Sequence, residues 1–288
     1  LLEHRVDHVV RGRGHVGERP DAPHVIAKCA KGADLRHRVA SVRKWIPSNM
    51  IRGGGIMVGR ARLEANLRSV EERIAAACAR AGRQRADVTL VAVSKSVGPQ
   101  EAQWLVEFGV RDLGESRPQT LWDKAAALPA EVRWHLIGHL QRNKIARTLP
   151  LVALIHSADS LRLLDAIELE AAKINRTQDV LVEFNLSREP NKSGFPAEEA
   201  PAICERLRRL QSVRVRGLMT MAALADDSQL ARPVFTELRA LRDQMQRQVG
   251  PRHRLDHLSM GMTQDFEVAI EEGATLVRIG SALFEGVS

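Results

Sequence analysis

The chain of 288 residues lacks several features that would assign it to a specialised class. It has no tyrosine, and aromatic residues make up only 3% of it. Its three cysteines, Cys29, Cys78 and Cys204, form no Cys-x-x-Cys pair, which excludes a disulfide framework and a cysteine-based zinc site and is typical of a cytoplasmic protein. No run of about 18 apolar residues is present, so we expect no membrane-spanning helix.

The positive charge is concentrated at the N-terminus. Residues 1–56 hold 11 Lys+Arg and 5 Asp+Glu, a net charge of +6 out of +8, whereas residues 57–288 hold 32 and 30. A nucleic-acid-binding arm would interleave aromatic residues with its cations, and this segment has only Trp45. It shows no sustained periodicity and ends in the glycine run 53–55. We therefore predict that residues 1–56 are a disordered or non-native basic extension, with Met57 as the natural start and Met50 as the other candidate, and a nucleic-acid arm is the alternative.

Residues 57–288 alternate between amphipathic helical patterns and short β-rich runs. An apolar stripe recurs from Arg60 to Ala81, which predicts a first helix. Eight strands alternating with helices predict an α/β protein with a single (β/α)8 TIM-type barrel. A doubly wound open sheet is the alternative, but no Gly-x-Gly-x-x-Gly follows the first strand. The predicted strands are Val88–Val93, Asp112–Glu115, Arg133–Gly138, Leu154–Ala158, Val180–Asn185, Val213–Met221, Leu255–Met260 and Leu276–Ile279.

Lys95 directly follows the first predicted strand, Val88–Val93. Chemistry in a parallel barrel takes place at the carboxyl ends of the strands. Burial at that position would lower the pKa of the amine and make it a nucleophile for an aldehyde. The alternative is a lysine that reaches solvent at the rim of the barrel.

Small residues follow the last two predicted strands, where barrels often bind phosphate. Backbone amides in such turns, and the amino end of a helix opening near Thr263, could donate to a phosphate. An ordinary glycine turn is the alternative for each, but together with Lys95 they favour a phosphorylated aldehyde as ligand. The residues concerned are Ser259, Gly261, Gly280 and Ser281.

Arg278 lies inside the apolar run Thr275–Ile279 and needs a partner there. Facing the mouth of the barrel, it could meet a pyridine nitrogen. A permanent cation would keep that nitrogen unprotonated and weaken the ring as an electron sink. The alternative is an ion pair with a nearby carboxylate.

Six motifs, in this order, closely resemble the YggS/PROSC family of pyridoxal phosphate homeostasis proteins, which is related to the N-terminal barrel of alanine racemase. The resemblance runs from about Met57 to Val287. The motifs are Ala92–Lys95, Trp134–Lys144, Asn191–Phe195, Gly217–Met221, Leu258–Met262 and Val277–Gly280.

The resemblance implies roles for particular residues. It implies that Lys95 holds pyridoxal 5′-phosphate (PLP) as an aldimine, that Arg278 faces the pyridine nitrogen, and that Lys192 is a second lysine for cofactor exchange. It places the phosphate at Ser259, Gly261, Gly280 and Ser281. It gives the lining of the cofactor pocket as Ser116, His139, Met221 and Met260. Ser116 is a departure, because the family has Asn after the Gly-Glu pair, and that contact is in doubt.

The resemblance also implies a function. We expect a cytoplasmic, monomeric PLP-binding protein without robust catalysis, which takes part in PLP homeostasis and delivers PLP to apo-enzymes, with no nucleic-acid or membrane partner. A weak PLP-dependent racemase is the alternative. Alanine racemase uses a lysine and a tyrosine as its two bases, and this sequence has no tyrosine. His139 is the remaining candidate for a second base, although pocket lining is its simpler role.

Overall fold

The structure, a computed structural model, describes residues 53–287, with side chains from Met57 onward. Most of the predicted basic extension therefore lies outside the described residues, as does Cys29. The first helix begins at Gly53 and continues to Arg80, so it includes the glycine run and starts seven residues before the predicted Arg60.

Eight parallel strands form a closed barrel in sequential order, β1 to β8, which confirms the predicted TIM-type fold. The strands are β1 Thr89–Val93, β2 Asp112–Glu115, β3 Arg133–Leu136, β4 Val152–Ala158, β5 Gln178–Glu183, β6 Val213–Met219, β7 His257–Ser259 and β8 Leu276–Ile279. The helices are α1 Gly53–Arg80, α2 Pro99–Glu107, α3 Pro118–Ala127, α4 Ile145–Thr148, α5 Leu161–Lys173, α6 Ala200–Leu207, α7 Arg232–Gln246, α8 Phe266–Glu271 and α9 Ser281–Phe284.

Strand alternation separates two apolar regions. Side chains of one parity point into the barrel, where five of them form an inner cluster. Side chains of the other parity, such as Leu90 and Val277, pack against the surrounding helices in the main core. The inner cluster consists of Val91, Leu154, Leu181, Met219 and Leu276.

Helix α1 packs across the region where β8 meets β1. Its predicted stripe is buried as expected, from Leu63 to Ala77. The side-chain amide of Asn66 donates to the carbonyl oxygens of Leu283 and Glu285, at 2.9 Å each, and so ties the helix to the end of the barrel. The four-residue helix α9, which the sequence did not predict, lies in this region.

Four of the eight strands, β3, β5, β6 and β7, end one or two residues earlier than predicted, and the other four end at the predicted residue. Strand β3 ends at Leu136 and β7 at Ser259, because the chain leaves the ladder there to form the loops of the mouth. Within residues 53–287, none of the helices has the length and apolar character that a membrane crossing requires. Cys78 and Cys204 are buried free thiols.

Candidate cofactor-binding site

Arg278 lies inside the barrel on β8, with 4% of the residue exposed. Its Nη1 donates to the hydroxyl oxygen of Ser259 at 2.5 Å, and its Nη2 donates to the carbonyl of Thr220 at 3.0 Å. Among the described residues it has no carboxylate within ion-pair distance. Burial lowers its pKa to about 10, against the opposing effect of Glu183 and Asp265. The guanidinium therefore stays charged at neutral pH while its bonded acceptors are neutral.

A chain of buried polar side chains continues from Ser259 through the interior of the barrel. Ser259 Oγ lies 2.8 Å from His156 Nδ1, and His156 Nε2 lies 2.9 Å from His135 Nδ1. His135 Nε2 lies 2.9 Å from the carboxylate of Asp112 at the start of β2. Neither histidine was assigned a role from the sequence. The sequence feature that could have indicated them is a polar residue at an inward-facing position of a largely apolar strand. His135 has this position in Trp134–Leu136, and His156 has it in Ile155–Ser157.

Lys95 lies just beyond β1 and is exposed, so of the two alternatives the structure has the lysine that reaches solvent at the rim, not the buried amine. The ladder ends at Val93, Ser94 is the last buried residue, and the chain then turns, with Val97 N–H donating to Ser94 O. Lys95 still belongs to the same sector of the mouth as the buried arginine. Its strand pairs with β8, and Val91, four residues earlier, is the register partner of Arg278.

A buried ion pair supports the turn that carries Lys95. Lys124 of α3 donates to Glu115 Oε1 of β2 at 2.5 Å and to the carbonyl of Ser94 at 2.6 Å. The hydroxyl of Ser94 donates to the same carboxylate oxygen at 2.8 Å. The sequence analysis missed Lys124, although its spacing from Leu121 and Leu128 places a cation on the apolar face of the helix.

The turns after β7 and β8 meet at the mouth. Ser281 Oγ donates to Thr263 Oγ1 at 3.0 Å. Gly261 has a φ of +90°, and a Cβ there would lie 2.6 Å from the Cβ of Ala269, so only glycine fits. Across residues 53–287, the backbone amides of Thr263, Gln264 and Ser281 have no protein acceptor. Helix α8 begins at Phe266, two residues later than the helix opening predicted near Thr263–Gln264.

Two residues differ from their expected roles. Ser259 is fully buried, and its hydroxyl is already bonded to Arg278 and His156. Met260 is fully buried in the main core, so its side chain does not line the mouth. Strand alternation is the reason in both cases, because Ser259 faces inward and its neighbour faces outward.

The other predicted residues lie in loops around the mouth. His139 is exposed, and its Nδ1 lies 2.8 Å from the carboxylate of Asp159. Met221 is partly buried against the inner cluster, and Ser116 is half-buried after β2. Lys192, in the loop after β5, donates to Glu189 Oε1 at 2.8 Å and to the carbonyl of Ala222 at 3.1 Å, so its ammonium is already partnered.

Glu183 is a further inward-facing group that the sequence analysis missed. It ends β5 and is 4% exposed. Burial, and then the carboxylate of Asp159, raise its pKa to about 7, while Arg278 and His139 act in the opposite direction. The mouth therefore contains a carboxyl group that changes charge near neutral pH.

These features define a class: a (β/α)8-barrel protein with a polar site at the carboxyl ends of its strands. The family model described as "Alanine racemase, N-terminal domain" matches residues 60–287. A pyridoxal phosphate homeostasis protein of Aquifex aeolicus is 44% identical over 219 residues, which cover 76% of this chain and 95% of that protein. The chain belongs to the YggS/PROSC family of pyridoxal phosphate homeostasis proteins.

Solved structures agree with this assignment. A protein of Bifidobacterium adolescentis has a TM-score of 0.75 at 36% identity, covering 78% of this chain and 96% of that one. PipY of Synechococcus elongatus, solved with PLP bound, has a TM-score of 0.64 at 28% identity, covering 87% of this chain and all of that one (100%).

We predict that Lys124→Met lowers the free energy of unfolding by about 3–5 kcal/mol, because it leaves the Glu115 carboxylate buried without its cation. The matched control is Lys173→Met, which removes an exposed ion pair with Glu170 and should cost at most about 1 kcal/mol. Urea unfolding monitored by circular dichroism measures both. An equal loss in the free energy of unfolding in the two variants would show that the buried pair Lys124–Glu115 stabilises the fold no more than an exposed pair does.

We predict that Glu183→Gln changes how stability depends on pH. The raised pKa means that the folded protein binds a proton more tightly than the unfolded chain, whose glutamates titrate near 4.5. The protonated carboxyl group of Glu183 therefore stabilises the fold fully below pH 4.5. This stabilisation, at most about 3 kcal/mol, is lost as the pH rises through about 7.

Urea unfolding of the ligand-free protein at pH 5 and pH 8 should therefore show that Glu183→Gln loses less stability over this interval than the wild type does. Glu205→Gln, which alters an exposed carboxylate paired with Arg209, serves as the control. If both variants follow the wild-type profile, Glu183 does not titrate in this range.

Proposed function

We propose that this protein binds PLP at the mouth of its barrel, with the amine of Lys95 as the covalent attachment, and takes part in PLP homeostasis. The observation that carries the proposal is the buried guanidinium of Arg278, which has neutral hydrogen-bond acceptors and lies one strand from Lys95. The PLP-bound relative and the name of the Aquifex aeolicus relative support it.

The residues around the mouth fit the three functional parts of PLP. Lys95 offers an exposed primary amine for the aldehyde. The free amides of Thr263, Gln264 and Ser281, together with the hydroxyl groups of Thr263 and Ser281, suit a phosphate. Arg278 can donate to the ring nitrogen. In this scheme, Gly261 and Gly280 hold the phosphate turns, and Ser259 acts through the arginine.

Arg278 favours a carrier over a strong catalyst. Bound PLP supplies an aldehyde that reacts with amines and a ring that withdraws electrons best when its nitrogen is protonated. The guanidinium keeps its own protons at neutral pH, because its pKa stays near 10 even when buried. With PLP bound, Arg278 would therefore donate to the ring nitrogen and leave that nitrogen unprotonated, which would limit electron withdrawal.

We further propose delivery of PLP to apo-enzymes by a cytoplasmic monomer, with Lys192 as a second attachment point. Lys192 lies in the loop after β5 and is bonded to Glu189 and to the carbonyl of Ala222, which follows β6. Cofactor exchange through Lys192 would require its amine to leave both partners. This requirement makes Lys192 a weaker attachment than Lys95, whose amine has no partner among residues 53–287.

Weak racemase activity is the second candidate, and Glu183 is the observation that favours it. A carboxyl group with a pKa of about 7 could hold or release a proton near neutral pH. Exchange of the α-deuteron of an amino acid with solvent, lost in Glu183→Gln, would support this activity.

We predict that borohydride reduction of the PLP-loaded protein, followed by peptide mass spectrometry, places a pyridoxyl group mainly on Lys95 and to a smaller extent on Lys192. Lys95→Ala should abolish the main adduct and most of the visible absorption band of the loaded protein, because Lys124, the other amine beside this turn, is buried and already paired with Glu115 and the Ser94 carbonyl. Lys173→Ala, on the outer helix α5, should change neither. A band and an adduct yield that survive Lys95→Ala would overturn the proposal.

A further inference from the structure

Five buried residues connect the base of the barrel to its mouth without a break. Asp112 begins β2, His135 and His156 face inward from β3 and β4, and Ser259 and Arg278 face inward from β7 and β8. Each link is 2.5–2.9 Å long. We refer to these residues as the polar relay.

The donor and acceptor roles along the relay follow from its two ends, and the first end is the carboxylate of Asp112. Burial of Asp112 would raise its pKa, but the hydrogen bonds from His135 and Arg133 outweigh burial and lower it, so Asp112 is an acceptor. His135 must then donate from Nε2. Whether His135 Nδ1 donates or accepts is decided at the other end of the relay, where Arg278 donates to Ser259.

The hydrogen bond between Ser259 and His156 determines the donor and acceptor roles of the remaining links. Burial, and the positive charge of Arg278, hold the pKa of His156 well below its usual range, so His156 is neutral. Arg278 donates to Ser259 Oγ, and within residues 53–287 the other partner of that hydroxyl is His156 Nδ1, so Ser259 donates its proton to Nδ1. The neutral His156 then carries its proton on Nε2 and donates it to His135 Nδ1, which leaves His135 Nε2–H for Asp112. The lone pairs of Ser259 Oγ are then directed away from His156, and one of them receives Nη1–H of Arg278. Every link has one donor and one acceptor.

We propose that Asp112, His135 and His156 are positioning residues, which orient the Ser259 hydroxyl and thereby fix the guanidinium of Arg278 against the ring nitrogen of the cofactor. The inference rests on the proposed function for the identity of that ring. The carbonyl of Thr220 provides the second fixed acceptor, so the guanidinium is held at two points, by Nη1 and Nη2.

A second strand pair shows that the salt bridge alone does not require histidines. Asp179 of β5 pairs with Arg214 of β6 through two hydrogen bonds, as Asp112 pairs with Arg133 across β2 and β3. Within residues 53–287, no histidine donates a hydrogen bond to the carboxylate of Asp179. The pair Asp179–Arg214 therefore provides a matched control for the charge of Asp112.

The test compares the affinity for PLP with that for the carbocyclic PLP analogue in which a C–H replaces the ring nitrogen. The wild type should prefer PLP, because only PLP accepts a hydrogen bond from Arg278. In His156→Leu the preference should fall about tenfold, the loss expected for one hydrogen bond to a charged group, while affinity for the analogue stays within about twofold of the wild type. Asp112→Asn should lower the preference by a smaller factor, and Asp179→Asn should not change it.

The outcomes separate this inference from the proposed function. If the wild type binds no PLP, the proposed function fails. If it binds PLP but does not discriminate against the analogue, or if a folded His156→Leu variant keeps the full preference, the positioning role is overturned. If His156→Leu fails to fold, the comparison of Asp112→Asn with Asp179→Asn decides. An equal preference for PLP over the analogue in these two variants overturns the positioning role.

Histidine tautomers give a readout that needs no cofactor. Nitrogen-15 NMR of the ligand-free protein at pH 7 should show His135 and His156 both neutral and both protonated at Nε2. The single-histidine variants His135→Gln and His156→Gln assign the signals. A charged imidazole, or a proton on Nδ1 of either residue, would contradict the direction of the relay.

Discussion

The site depends on one electrostatic constraint, a guanidinium that is buried inside the barrel and forms no ion pair with a carboxylate in the part of the chain that the structure describes. Burying an unpaired charge is expensive, and Arg278 offsets the cost through hydrogen bonds to a hydroxyl and a carbonyl, with Glu183 and Asp265 acting from farther away. Because its present acceptors are neutral, the guanidinium keeps its full charge and can donate a hydrogen bond to one more neutral acceptor. A pyridine nitrogen is such an acceptor. A carboxylate bonded to Arg278 would instead have compensated its charge.

The barrel makes this arrangement possible through strand parity. Inward positions also hold Val91, Leu154, Leu181 and the rest of the inner cluster, all of them buried. The same parity brings Asp112, His135 and His156 into a line that ends at Ser259. Polar groups in such an interior are costly unless every donor and acceptor is satisfied, and the relay satisfies them one by one. Strand parity thus explains both the apolar packing and the fixed direction of the arginine.

The alternation of strands and helices allowed the fold to be predicted from the sequence, because a parallel barrel repeats one local pattern eight times. The site was only partly predictable. Lys95 and Arg278 stand out as charged residues beside or within apolar strands, but the exposure of Lys95 depends on where the ladder ends. Met260 was misplaced because motif similarity does not specify which side of the barrel a residue faces. The link between His156 and Ser259 joins residues 103 positions apart, and such a contact is visible only in the folded chain.

The protonation state of the ring nitrogen in bound PLP tests the central claim most directly. Nitrogen-15 NMR of the protein loaded with PLP labelled at that nitrogen reports whether the nitrogen carries a proton. The account predicts an unprotonated nitrogen at neutral pH that accepts a hydrogen bond from Arg278, with a chemical shift that changes in Arg278→Lys. A protonated pyridinium nitrogen in the wild type would contradict the account.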